Sequence, residues 1–113
     1  MIRPPYGVHD DRVVAIAAES GLVTVGFDLA SGDPDPDCDA AMLVRWVTRK
    51  ARNGSIVIMH INGRGAHTAS ALPGIVAGLR KAGFRLVTVG EMIRDRGITA
   101  PGVARAEPRN GRK

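Results

Sequence analysis

Apolar positions along this chain alternate between helical spacing and short unbroken runs, and that alternation predicts the element order. Two prolines within residues 3–7 exclude helix and predict an extended piece. Asp10 or Asp11 caps a helix running to about Ser20, with Val13, Val14, Ile16 and Ala17 as its inner face and Gly21 as its stop. Residues 22–27 are rich enough in β-branched side chains for a strand. Residues 30–37, dense in Gly, Pro and Asp, form a loop. Asp39 opens a second helix, in which Met42, Leu43, Trp46 and Val47 recur at helical spacing while Arg45, Arg49 and Lys50 face water; Asn53-Gly54 closes it. In residues 55–60 the run SIVIM is apolar on both faces, as in a buried parallel strand. A glycine-bearing loop at 61–66 leads to a third helix starting near Thr68 or Ser70. Pro73 suits a first turn and so favours the later start. Leu72, Ile75, Val76 and Leu79 form the stripe of this helix and Gly83 ends it. Residues 84–89 read as a strand and residues 91–96 as a last short helix.

The order βαβαβαβα with short connections predicts an α/β fold with parallel strands and right-handed crossovers. About four such units make an open sheet or part of a barrel. In barrels of this kind functional groups gather at the C-terminal ends of strands. Arg3, Tyr6, Asp28, Asp33 and His60 all fall at such ends in the predicted order.

A length of 113 residues allows one small domain. Only Tyr6, Phe27, Trp46 and Phe84 are aromatic, so the core must rest on aliphatic side chains. The net charge is +5, and part of it is concentrated in residues 99–113, which read as a basic, solvated tail behind a domain of residues 1–98. No basic-aromatic interleaving accompanies the tail, so no nucleic-acid partner is expected. Cys38 is the only cysteine, which excludes an intrachain disulfide and a thiolate metal site. The chain as written shows neither a signal peptide nor the ~20-residue apolar run of a membrane helix, so a cytoplasmic chain with no membrane partner is expected.

Three segments together resemble the polysaccharide deacetylase family, also called the NodB-homology or chitin-deacetylase-like family. RPPYG at 3–7 looks like the family's third motif. GFDLASGDPDPD at 26–37 resembles the fourth. SIVIMHINGRGAHTASALPGIVAGLRKAGFRLVTVGEM at 55–92 resembles the fifth, a hydrophobic-x-His strand end followed by HT, a Leu-Pro helix start and a glycine-aromatic entry to the next strand. The resemblance covers nearly all of the chain except the tail. It implies part of a deformed (β/α) barrel, the C-terminal portion of a deacetylase domain. It also implies hydrolysis of N- or O-acetyl groups on a carbohydrate polymer by a divalent, zinc-like metal. In the family the metal ligands and the base aspartate come from first and second motifs that are not recognised here, so no metal ligand is assigned in this chain. Met1 and Ile2 fall directly against RPPYG, from which a split or miscalled domain is expected. A missing N-terminal half, or a second copy of the chain, is then an expected partner, and the isolated chain is expected to be inactive. The alternative is a non-catalytic remnant or a carbohydrate-binding module.

By the same resemblance His60 is the acid that protonates the departing amine. It follows a rigid strand, and imidazole, with an unperturbed pKa near ~6.5, donates protons near neutral pH. Arg3 is implied to hold the base aspartate, and Tyr6, in a turn stiffened by Pro5, to offer its backbone N–H to the oxyanion. Asp33 is implied to support this network through Arg3 or His60. Two departures stand out. Pro34 replaces a common tryptophan, leaving Phe27 as the candidate aromatic wall of the acetyl pocket, and Ile58 stands where leucine is common. Two other patterns read as local structure. The NGRG turn at 62–65 resembles an anion nest but is a tight βα turn. Asp33, Asp35, Asp37 and Asp39 alternate like a calcium loop, yet prolines interrupt them and the loop's glycine and terminal glutamate are absent. His67-Thr68 sets the helix start.

Overall fold

The computed structural model describes residues 1–96; the expected basic tail at 99–113 lies outside the described residues. The described elements run α1 (Asp11–Glu19), β1 (Leu29–Ala30), α2 (Ala40–Lys50), β2 (Val57–Ile58), α3 (Thr68–Lys81) and α4 (Val89–Asp95), with a 3-10 turn at Pro5–Gly7 before α1. The chain forms two compact units. Among the described residues, one comprises Met1–Gly26 with residues 90–96, and the other Phe27–Val89.

In the first unit, Ile2 makes a parallel bridge to Thr24, closed by Ile2 N–H to the Val23 carbonyl at 2.9 Å and Val25 N–H to the Ile2 carbonyl at 2.8 Å. The strand expected at 22–27 is reduced to this bridge. Asp10 caps α1 by accepting from Val13 N–H at 2.9 Å, and Gly21 leaves the helix at φ 69°, a conformation that favours glycine. The expected inner face of α1 is buried only at Ala17; Val13, Val14 and Ile16 stay exposed.

The second unit is a βαβα arrangement. β1 and β2 pair in parallel, Leu29 with Val57 and Ala30 with Ile58, and α2 is the connection between them. Asp28 ties the strand entries together: its carboxylate accepts from Ile56 N–H at 2.6 Å and from the Ser55 hydroxyl at 3.1 Å. The Ile56 bond, opposed by burial, and then Ser55 and the Arg52 guanidinium hold the Asp28 carboxyl below its ordinary range. α2 begins as the sequence predicts, with Asp39 accepting from Met42 N–H at 2.7 Å. Leu43 and Val47 of α2 pack against Ala71, Ile75 and Leu79 of α3 over Leu29 of β1, and this cluster is the core. The helices approach closely because Gly74 and Gly78 face Val44 and Thr48.

Two expectations are corrected. Pro73 lies well inside α3, not in its first turn; the helix starts at Thr68. A proline there removes the bond to the Ala69 carbonyl, at an exposed residue. The strand expected at 84–89 does not form; Val89 already belongs to α4. Leu86 and Val87, which that strand would bury, are exposed.

Candidate functional site

At the C-terminal end of β1 the chain reads Ser31-Gly32-Asp33, and at the end of β2 it reads His60. Ser31 N–H donates to the Ile58 carbonyl at 3.3 Å, which extends the strand pairing to the point where both chains deliver their polar residues. There Asp33, 3% exposed, accepts four hydrogen bonds. Its Oδ1 takes the Ser31 hydroxyl at 3.0 Å and lies 2.9 Å from His60 Nδ1; its Oδ2 takes the His60 N–H and the Thr68 hydroxyl, both at 2.6 Å. Four donors fill the four acceptor positions of a carboxylate. Burial alone pushes the Asp33 carboxyl up, but the bonds from Thr68, from the His60 backbone and ring, and from Ser31 outweigh it and hold the group below its ordinary range.

An ionised carboxylate only accepts, so His60 Nδ1 must be the donor in this pair. That fixes the ring: the proton-carrying Nδ1 faces Asp33, and Nε2 is left as the nitrogen that can exchange a proton with a bound molecule. The His60 side chain is 30% exposed, against 1% for Asp33, so the ring lies between a buried anchor and solvent.

Gly65 completes the arrangement. A Cβ there would run into the His60 carbonyl and the Thr68 hydroxyl and lie 3.1 Å from Asp33 Oδ2. Thr68 is the first residue of α3, and its N–H donates to the Gly65 carbonyl at 3.2 Å. The HINGRGAHT segment therefore folds back so that its threonine reaches Oδ2 of the carboxylate while His60 Nδ1 lies on Oδ1. Neither Ser31 nor Thr68 is singled out by the sequence as a partner of Asp33. The signal for Ser31 was its place two residues before an aspartate in a turn; nothing local marks Thr68, which is 35 positions from Asp33.

The other predicted residues sit as follows. Ile58 pairs in β2. Phe27 is 40% exposed and Pro34 is exposed. In the first unit the Arg3 guanidinium donates to the carbonyls of Val25 at 3.3 Å and Gly26 at 3.1 Å, so it braces its own strand pair. Pro5 opens the 3-10 turn, and Tyr6 adopts φ 58°, ψ 8°. For a residue with a Cβ this left-handed conformation costs roughly 1–2 kcal/mol. The Tyr6 ring is exposed, so it is not a packing plug, and the strained element is the backbone turn.

Among the described residues no three His, Cys, Asp or Glu side chains converge on a point that could hold a metal ion. Asp33, the carboxylate beside His60, has every acceptor position engaged. The residues present thus do not fit the divalent metal that the family resemblance implies, and no step is derived through it. No helix among the described residues is long and apolar enough to cross a membrane.

No family profile matches the chain. It is 36% identical over 99 residues to the peptidoglycan-N-acetylglucosamine deacetylase of Bacillus cereus, covering 83% of this chain and 45% of that protein. Among solved structures it is similar to a family 4 carbohydrate esterase from Streptomyces lividans in complex with acetate, with TM-score 0.67 and 29% identity over 77% of this chain and 43% of that one. It is also similar to a CE4 family pseudoenzyme from Bacillus anthracis, with TM-score 0.72 and 27% identity over 80% of this chain and 31% of that one. The structural class is therefore that of the family 4 carbohydrate esterases, with mixed α/β content and parallel strands. The chain is a relative of the NodB-like polysaccharide deacetylases, matching them along most of its own length and spanning less than half the length of these relatives.

Proposed function

We propose that this chain carries the acid arm of a carbohydrate deacetylase site, in a family whose members remove N- or O-acetyl groups from sugar polymers. The observation that carries the proposal is the Asp33–His60 pair, 2.9 Å apart at Nδ1, with Asp33 fully saturated by hydrogen bonds and Nε2 left to act. In hydrolysis of an acetamide a water oxygen adds to the carbonyl carbon and the C–N bond then breaks. The imidazolium of His60 gives its Nε2 proton to the departing amine nitrogen, and Asp33 steadies the positive ring through Nδ1. Residues 1–98 then correspond to the C-terminal part of a deformed barrel. Activation of the water belongs to a metal-and-base-bearing segment that acts together with this chain.

Reconstitution tests this reading. The chain is co-expressed with the part of the Bacillus cereus relative that it does not match, and acetate release from an acetylated chitooligosaccharide is measured. The expected result is release that depends on both parts and falls about 10²–10⁴-fold in His60→Asn, the usual contribution of a general acid. Release that is unchanged by His60→Asn contradicts the role. Glycan binding without release from a folded, metal-loaded pair supports the non-catalytic alternative instead.

A further inference from the structure

Thr68 opens α3, yet its hydroxyl is not spent on the helix. A threonine at a helix start ordinarily turns its hydroxyl to a backbone N–H of the first turn. Here the hydroxyl donates at 2.6 Å to Asp33 Oδ2, 35 positions away, while the cap residue His67 makes no side-chain cap bond. The first turn of α3 also holds no acidic residue, although a helix N-terminus favours a negative charge. The Asp33 carboxylate, brought from the loop after β1, takes that place.

The carboxylate needs a hold from outside its own pair. Rotation about the last torsion of an aspartate is broad, so the plane of the group is set by the bonds it accepts. Two of the four donors on Asp33, the backbone N–H and Nδ1, belong to His60 itself. A third, the Ser31 hydroxyl, lies two positions away and shares Oδ1 with the ring. Thr68 alone reaches the group from a helix anchored in the core by Ala71, Ile75 and Leu79. Its bond fixes Oδ2 at the start of α3 and leaves Oδ1 facing Nδ1. Gly65 keeps the path clear, since a Cβ there would collide with the Thr68 hydroxyl and the His60 carbonyl. Burial pushes the Asp33 carboxyl up, and the Thr68 bond is the largest of those that bring it below its ordinary range.

We infer that Thr68 is a positioning residue of the site, whose hydroxyl aims the Asp33 carboxylate so that the His60 ring keeps its proton on Nδ1. Thr68 touches no reacting atom and acts only through Asp33. Its value for proton transfer rests on the acid role proposed for His60; its effect on the ring does not.

The test compares the ¹⁵N-labelled full chain with Thr68→Val, which removes the hydroxyl but keeps the branched shape, and with Thr68→Ser, which keeps the hydroxyl. Dispersed amide signals show that a variant is folded. The expected result is an exchange-protected His60 Nδ1–H signal in the parent chain and in Thr68→Ser, and its loss in Thr68→Val, whose neutral ring becomes a mixture of tautomers. A threonine that only starts α3 would change stability and leave the ring signal untouched. An intact Nδ1–H signal in folded Thr68→Val, or its loss in folded Thr68→Ser, would therefore overturn the inference. If Thr68→Val does not fold, the parent chain decides: its Thr68 hydroxyl proton should exchange slowly at neutral pH, and a freely exchanging one overturns the inference. The ring signal needs no turnover. Acetate release lost in His60→Asn together with an unmoved ring in Thr68→Val would sink this inference alone. Release unchanged in His60→Asn together with a ring signal lost in Thr68→Val would sink the acid role alone.

Discussion

Asp33 is the residue on which the site's geometry converges. A carboxylate this buried is tolerated only because hydroxyl, ring and backbone donors replace its water. Its folded-state pKa lies below the ordinary carboxylate range, and so does that of Asp28. The sign follows directly. Both groups contribute stability that is complete above the ordinary range and is lost as the pH falls through it toward the folded-state value. Denaturant midpoints should therefore hold steady near neutrality and fall from about pH 5 downward. Thr68→Val should cost about 1–3 kcal/mol at neutral pH by leaving Asp33 Oδ2 with one donor, and should flatten the acid limb. A midpoint that rises with acid, or a Thr68→Val chain as stable as the parent, would contradict this account. Asp33 and His60 were legible as residues of interest from the motifs around them. Their union with Ser31 and Thr68 was not, because it depends on a loop closing over Gly65, which no local pattern encodes.

At the scale of elements, the helices were readable where their signals are local. Asp10 and Asp39 cap as the sequence predicts, and Gly21 and Gly83 leave their helices at φ 69° and 88°. The strands were less readable, since a strand is completed by a partner far along the chain. Residues 22–27 and 84–89 have strand composition, yet the ladder forms at Leu29–Ala30 and Val57–Ile58. The α2–α3 seam makes a sharp prediction. A Cβ at position 78 would meet Thr48 Cγ2 at 2.5 Å, and Thr48 is held by its own hydroxyl bond to the Val44 carbonyl at 2.6 Å. Alanine is the better helix former by about 1 kcal/mol, but overpacking a seam costs about 1–3 kcal/mol. Gly78→Ala should thus be neutral to destabilising by up to about 2 kcal/mol, whereas Gly83→Ala, at positive φ with open space around it, should lose stability by backbone strain alone. Thermal or denaturant unfolding checks both; a Gly78→Ala chain stabilised by a full 1 kcal/mol would show that the helices are not in contact there.

For the molecule as a whole, each unit leaves apolar side chains in water. Val13, Val14 and Ile16 are exposed in the first, and Met42, Trp46, Leu72, Leu86 and Val87 in the second. Surfaces of that kind promote association. The full chain is expected to elute from size exclusion as concentration-dependent species larger than a monomer; a sharp monomer at all concentrations would contradict this. The α/β class and the family were legible along most of the chain because three motifs occur in order. The core of the second unit was only partly so. The sequence marks Leu43, Val47, Ile75 and Leu79 by spacing, but Met42, Trp46 and Leu72 share that spacing and remain exposed. Periodicity locates an apolar face without saying how much of it is covered.

The central claim is that Asp33 locks the His60 ring so that Nε2 is the working nitrogen. The most direct test is ¹⁵N-resolved NMR of the His60 ring in its neutral state. The account predicts a protonated Nδ1 and an unprotonated Nε2, with this preference lost in Asp33→Ala. A wild-type ring protonated at Nε2, or a tautomer indifferent to Asp33→Ala, would contradict it.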